Sequence, residues 1–260
     1  MEEEITIYTD SNSGGIQTLD LLGNENREGY KKTKLGWIPE EWEVKRIDKI
    51  ARTKAGGTPS TKIKSYWING TIPWMSSGEL NLKVVNDVEG RITEEGLANS
   101  SANLIPPNSI LIGLAGQGKT RGTAATNSIE LCTNQSVAAI IPTNRNIYFK
   151  YLYYNIDSRY DELRRLSTGD GGRGGLNLRL INAIKIPIPK FPEQTAIAAC
   201  LSTWDTAITT LTQLIAKKQE AKKGLMQQLL SGKKRLPGFE GEWEEAMIKD
   251  QFDEVIEKND

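Results

Sequence analysis

The period of the hydrophobic positions changes along the chain and divides it into four segments. Residues 1–34 are polar, acidic and rich in Gly, Asn and Glu with no sustained period, so they read as a loosely ordered leader. From Leu35 to Pro192, short β-branched runs such as SILIGL (109–114) and SVAAIIP (136–142) are broken by Gly, Pro and Asn turns, which predicts strands. One helix is predicted among them, from Tyr148 to Leu166, because Leu152, Ile156, Leu163 and Leu166 fall on one stripe. Asn177 is placed to cap a second, short helix. Residues 35–192 therefore read as a mixed α/β domain, and the fold class is α+β.

The third segment, residues 193–231, differs in kind. It has no Pro and no turn cluster, and only Gly224 interrupts a helical pattern that starts after Pro192 and stops at Gly232. Ile197, Leu201, Trp204, Ile208, Leu211, Ile215, Leu225 and Leu229 recur in alternating steps of four and three, with Lys218 and Lys222 at the intervening positions. That spacing predicts a coiled-coil seam, while a helix packed on its own domain would carry a broader stripe. At 1.5 Å per residue such a helix spans roughly 58 Å, more than the ~34 Å of one DNA turn. A spacer of this length can set the separation of two other elements.

Leu35 to Glu43 reads LGWIPEEWE, and Leu236 to Glu244 reads LPGFEGEWE, with the Leu, the second Trp and the final Glu in register. Residues 232–260 accordingly read as the start of an incomplete second repeat of the domain.

Composition narrows the chemistry. Histidine is absent, which removes His-dependent triads and most zinc sites. Cys132 and Cys200 lie in no CxxC pattern and read as small core residues of a protein from a reducing compartment. No apolar run is long enough to cross a bilayer, and the expectation is a cytoplasmic protein without a membrane partner. The formal charge of zero hides an uneven distribution: residues 31–235 carry 30 basic against 17 acidic residues, a net of +13, between two acidic ends. A basic body is the footprint expected of phosphate contacts.

Three loops carry the candidate chemistry. GLAGQGKT (113–120) matches the phosphate-loop pattern G-x-x-x-x-G-K-[ST], but such a loop must feed a helix, and RGTAATNSIELCTNQS follows instead, which predicts loop and strand. The same residues suit DNA: Lys119 and Thr120 can meet phosphate, and Gln117 and Arg121 can make bidentate contacts to adenine and guanine edges. STGDGGRGGLN (167–177) sets Arg173 among five glycines and ends on Asn177, with Arg179 just beyond. KAGGTPSTKIK (54–64) offers Lys54, Lys62 and Lys64 beside the hydroxyls of Thr58 and Ser60. A structural hairpin, a plain surface connection and a solvated charged loop are the respective alternatives. Tyr66, Trp67 and Trp74 could stack on bases, though interior packing is the simpler expectation. No NPPY-type methyltransferase motif or glycine-rich cofactor loop is present, so no catalysis is assigned to the chain.

Taken in order, GWIPEEWEVKRIDKIA (36–51), GGTPS (56–60) with YW (66–67) and IPW (72–74), KIPIPKFPEQTAIAACL (185–201) and LLSGKKRLPGF (229–239) resemble the specificity subunits of type I restriction-modification systems. That family alternates recognition domain and conserved helix twice, pairing its two helices antiparallel; this chain has one complete copy of each. The resemblance implies a non-catalytic, sequence-specific reader of double-stranded DNA. It implies a homodimer through the helix, reading a gapped inverted repeat. It also implies a modification subunit using S-adenosylmethionine to methylate adenine and a restriction-translocation subunit using ATP and Mg, with no cofactor in this chain. A phosphate-loop nucleotide-binding protein and a coiled-coil scaffold without DNA specificity are the alternatives.

Overall fold

The computed structural model describes residues 28–116, 119–166, 175–244 and 246–247. In chain order the elements are β1 (Tyr30–Thr33), β2 (Gly36–Pro39), β3 (Glu43–Arg46), β4 (Ala51–Ala55), β5 (Ile72–Met75), β6 (Val84–Val85) and β7 (Arg91–Ile92). There follow α1 (Glu94–Ala98), β8 (Ile110–Gly113), β9 (Ala124–Asn127), β10 (Cys132–Thr133) and β11 (Val137–Pro142). The remainder is α2 (Phe149–Asp157), α3 (Tyr160–Leu166), α4 (Leu178–Ala183), β12 (Lys185–Ile188) and α5 (Phe191–Leu229). The chain divides into two compact units, 1–198 and 199–260.

The organising element of the first unit is a five-stranded sheet in the order β4-β11-β8-β9-β6, antiparallel except between β6 and β9. Its central strands are the two apolar runs of the sequence, and their lack of alternation has a direct cause: both faces are covered. Ile110, Ile112, Ala138 and Ile140 point to a core shared with Leu152 and Ile156 of α2 and Ile181 of α4. Leu111, Val137, Ala139 and Ile141 enter a second core with Met75, Leu80, Val85, Ile105 and Leu131. A third cluster under the small sheet β10-β5-β7 holds Ile72, Ile92 and Cys132, with Trp67 and Trp74 against it.

The strand β3 pairs with β12, Val44 opposite Pro187, so two motif segments far apart in sequence lie side by side. The Trp42 indole N–H donates to Glu193 Oε2 at 3.1 Å. Gln194, wholly buried, donates from Nε2 to the carbonyls of Asn146 and Pro189 at 2.9 Å each and accepts from the Tyr148 N–H at 2.9 Å. The first turns of α5 are thereby bolted to the loop after β11. Buried polar groups hold position this firmly because leaving any one of them unpaired is costly.

Several expectations need correction. The hairpin β1-β2 starts at Tyr30, ahead of the expected domain start at Leu35. The helix predicted over Tyr148 to Leu166 is two helices, because the chain tightens at Ser158 and Arg159, whose N–H groups reach back to Ile156. Asn177 does cap α4, its Oδ1 accepting from the Leu180 N–H at 3.0 Å. The long helix starts at Phe191, with Pro192 in the first turn, where its missing N–H costs nothing. Cys132 is buried as expected, and burial pushes its thiol up to about 11, whereas Cys200 is exposed on α5.

In the second unit, α5 runs on to Leu229, and Gly232 stops it in the left-handed region at a φ of 69°. The Trp243 indole lies against Gly232, and the Arg235 guanidinium sits 5.7 Å from the Trp243 ring centre while donating to the Gly241 carbonyl at 2.8 Å. The seam residues Leu201, Trp204, Ile208, Leu211, Ile215 and Leu225 are exposed. Ile197, by contrast, packs half-buried on its own domain's core, and Leu229 is half-buried beside Leu236, Phe239 and Trp243. Among the described residues, no helix is long and apolar enough to cross a membrane.

Candidate nucleic-acid interface

Strand register decides which loops meet. Ala55 at the end of β4 faces Ala138, Val137 at the start of β11 faces Gly113 at the end of β8, and Ile112 faces Ala124 at the start of β9. The segments 56–64, 114–116, 119–123 and 134–136 therefore all lie at one end of the sheet. They are also tied to one another: the Leu114 N–H donates to the Ser136 carbonyl, and the Leu176 N–H donates to the Leu114 carbonyl. The run into Asn177 thus joins the same cluster. The start of α5 lies at the opposite sheet end, where Phe191 shares a cleft with Pro106, Asn108, Pro142 and Tyr148.

The segment GGTPS is held by contacts that only glycine permits. A Cβ on Gly56 would overlap Thr133 and Asn134, and one on Gly57 would overlap Ser101. The Gly56 N–H donates to the Val137 carbonyl and the Gly57 N–H to the Thr133 carbonyl, extending the sheet into the loop. The Thr58 hydroxyl donates to Gln135 Oε1 at 2.5 Å. Trp74 and Trp67 fix the far side, their indole N–H groups donating to the carbonyls of Gly57 at 3.0 Å and Ser60 at 3.2 Å. The two rings meet edge to face, 5.1 Å apart at 86°, and with Thr61, Lys64 and Ile68 they line an open cleft of 370 Å³. Both tryptophans are half-buried, as interior packing predicts. Ser60, Lys62 and Lys64 are exposed on the outer side of the loop, while Lys54 lies half-buried within β4.

The loop between β8 and β9 is braced from below. The Lys119 carbonyl accepts from the hydroxyls of Thr123 at 2.6 Å and Tyr160 at 3.1 Å, and Arg164 donates to the Tyr160 oxygen at 3.0 Å. With its backbone anchored, the Lys119 side chain is exposed, and Thr120 and Arg121 are half-buried beside it. After Thr120 the chain turns through Gly122, at a φ of 83°, into β9. No helix follows, so the loop lacks the helix N-terminus on which a phosphate loop depends. Gln117 and Arg173 lie outside the described residues. Asn177 and Arg179 are exposed at the first turn of α4.

The register also assembles residues that pattern reading passed over. Asn134, Gln135 and Ser136 sit between the GGTPS loop and the β8–β9 loop, and Gln135 is exposed. The polar run TNQS before an apolar strand was the available signal. Asn103 donates to the Ala55 carbonyl at 3.2 Å and closes the back of the cluster. This sheet end thus presents exposed lysines, an exposed amide and backbone held at close approach. Such a set can bond phosphate oxygens and base edges, and it includes no paired acid and base for bond-breaking chemistry among the described residues.

Comparison with known proteins shows the family to which the chain belongs. The type I restriction modification DNA specificity domain matches residues 39–222. The chain is similar to the type I restriction enzyme EcoR124I/EcoR124II specificity subunit of Escherichia coli, 32% identical over 193 residues that cover 74% of this chain and 48% of that protein. It is also similar to the MjaIX specificity subunit of Methanocaldococcus jannaschii, 33% identical over 183 residues, covering 69% of this chain and 41% of that protein. In fold it resembles the type I restriction-modification system S subunit from M. genitalium, with a TM-score of 0.53, 16% identity and coverage of 72% of this chain and 45% of that one. The chain spans about half the length of the relatives it matches. With one family profile covering the sheet, its loops and most of the long helix, the chain belongs to the type I restriction-modification DNA specificity family.

Proposed function

We propose that this chain is a sequence-reading subunit of a type I restriction-modification complex, with residues 35–192 as its recognition domain and 193–231 as its spacer. The observation that carries the reading is the convergence of residues 56–64, 114–116, 119–123, 134–136 and 175–179 at one sheet end, opposite the anchored start of α5. In this reading Lys62, Lys64 and Lys119 bind backbone phosphates, with Lys54, Thr58, Ser60 and Thr120 shaping the loops that carry them. Gln117, Gln135, Arg121, Arg173, Asn177 and Arg179 are the candidates for base edges. The chain is not itself an enzyme. It directs a modification subunit, which uses S-adenosylmethionine to methylate adenine, and a restriction-translocation subunit, which uses ATP and Mg, in the cytoplasm. Its exposed helix seam pairs with a second copy, so that two readers address a gapped inverted repeat.

The test is DNA binding by the chain, alone and with its modification subunit, followed by fluorescence anisotropy. Lys119→Ala should weaken binding to all sequences alike and lower the salt dependence by about one unit of slope. Gln135→Ala should change which sequence is preferred. Uniform affinity in both variants, with no preferred sequence in the parent, would leave only a scaffold role for the chain.

A further inference from the structure

The segment from Thr61 to Gly70 is held through its backbone. The Ile63 N–H donates to the Ser60 carbonyl at 3.2 Å, and the N–H groups of Trp67 and Ile68 both donate to the Lys64 carbonyl, at 3.0 and 2.9 Å. Thr93 grips the same turn, its hydroxyl donating to the Ser65 carbonyl at 2.9 Å and its N–H to the Tyr66 carbonyl at 2.9 Å. Asn69 then turns the chain in the left-handed region at a φ of 59°, and Gly70 lies so close to the backbone of Arg91 and Ile92 that a Cβ would overlap it. The turn leaves Ile68 58% exposed in the lining of the 370 Å³ cleft that holds Trp67 and Trp74. Bare apolar surface on so constrained a backbone is preorganised for a ligand.

Resting on the DNA-reading role proposed above, we infer that this cleft takes one unpaired base of duplex DNA, held out of the stack against the indole surface and Ile68, with Lys64 on the adjoining phosphate. The lining decides the kind of occupant. Thr61, Lys64, Trp67, Ile68 and Trp74 supply ring and aliphatic surface, one positive charge and no acid. Such walls suit a flat ring joined to an anion. The cleft is also continuous with the candidate interface, because Lys64 belongs to both and Lys62 is exposed two residues before it. A base still in the helix presents only its edge, and an edge is read by hydrogen bonds. Here both indole N–H groups are already spent on the carbonyls of Gly57 and Ser60. The cleft therefore offers stacking surface in place of edge recognition, and only a base outside the stack exposes a face to it.

Every base has a π-face, so the site is indifferent to which base enters it. Unstacking costs least for a base that has already lost its partner, and the cleft selects such a base without having to create it. A complex that withdraws adenine from a duplex for methylation leaves an unpaired base of this kind on the opposite strand.

The experiment is fluorescence anisotropy of the full chain, alone and with its modification subunit, on a perfect duplex, the same duplex with one unpaired thymine, that duplex with an abasic residue in place of the thymine, and the single strand. The unpaired thymine should tighten binding about tenfold over the perfect duplex, and the abasic residue should not. Ile68→Ser, at an exposed position, should cut that gain to about threefold or less and leave the perfect duplex bound within about twofold of the parent, with circular dichroism reading the fold. On irradiation, 5-iodouracil at the unpaired position should cross-link to the tryptic peptide 65–83, which contains both tryptophans. Equal affinity for the perfect and the unpaired-thymine duplex overturns the inference. So does a gain that the abasic residue reproduces, a gain unchanged in Ile68→Ser, or a cross-link elsewhere in the chain. A single strand bound as tightly as the unpaired-thymine duplex overturns the claim that the base comes from duplex DNA. If no duplex binds in either setting, the DNA-reading role itself falls, and the cleft's role with it.

Discussion

Ile140 and Ile208 have the same side chain and opposite fates. Ile140, in the interior strand β11 of the sheet, has no solvent exposure, while Ile208, on the long helix, is 60% exposed. The sheet satisfies its apolar residues within one chain, because helices cover one face and the small sheet with its turns covers the other. The helix beyond residue 199 leaves its apolar residues bare. An exposed apolar stripe of this kind is the surface feature that marks interaction sites in proteins generally. Stability is therefore the domain's own property, while the helix leaves an apolar face unburied among the described residues.

The sharpest way to break that division is to truncate both isoleucines. Ile140→Ala should lower the unfolding free energy of the domain by about 3 kcal/mol, since a cavity opens in a packed core. Ile208→Ala should leave urea unfolding of the monomer within about 0.5 kcal/mol of the parent and act only on association. Equal losses would mean that the helix face is packed within its own chain.

A second effect belongs to the domain alone. The Tyr151 hydroxyl is buried, donates to the Pro187 carbonyl at 2.7 Å, and has its pKa pushed up to about 12 by burial. The folded chain then holds this proton more tightly than the unfolded chain, whose tyrosine titrates near 10. Its contribution is complete below pH 10 and is lost as the pH rises from 10 to about 12, amounting to about 2 to 3 kcal/mol over that window. Cys132 acts in the same direction from a lower starting point. Urea unfolding between pH 9 and 12 should show the decline, and Tyr151→Phe should flatten it above pH 10; an unchanged slope in that variant would count against the assignment.

The smallest effect concerns the helix. Gly224 is helical, faces open space and has a φ that alanine adopts without strain. Gly224→Ala should stabilise the helix by about 1 kcal/mol without touching the seam, raising helix content on heating. No change would mean that the helix is already held by a partner along its length.

The sequence was most legible where a period or a cap decides structure. The 39-residue helix, the two central strands and the Asn177 cap follow from spacing and from one side-chain oxygen. The residues after Thr120 favour strand over the helix that a phosphate loop needs, and β9 is there. What spacing could not supply was register. Gln135 joins Thr58 only because Ala55 pairs with Ala138, a relation between residues far apart in the chain. The break between α2 and α3 was hidden for a different reason: the apolar stripe continues across it, so periodicity carries no sign of the turn at Ser158. Cys200 escaped because a small residue on a long helix has no preferred face from composition alone.

The central claim is that two identical readers are held apart by paired helices. The most direct test is selection of bound duplexes from a randomised pool by the chain together with its modification subunit. The account predicts an inverted repeat of two short half-sites separated by an unread gap of fixed length. Enrichment of a single half-site, of an asymmetric pair, or of no sequence would contradict it.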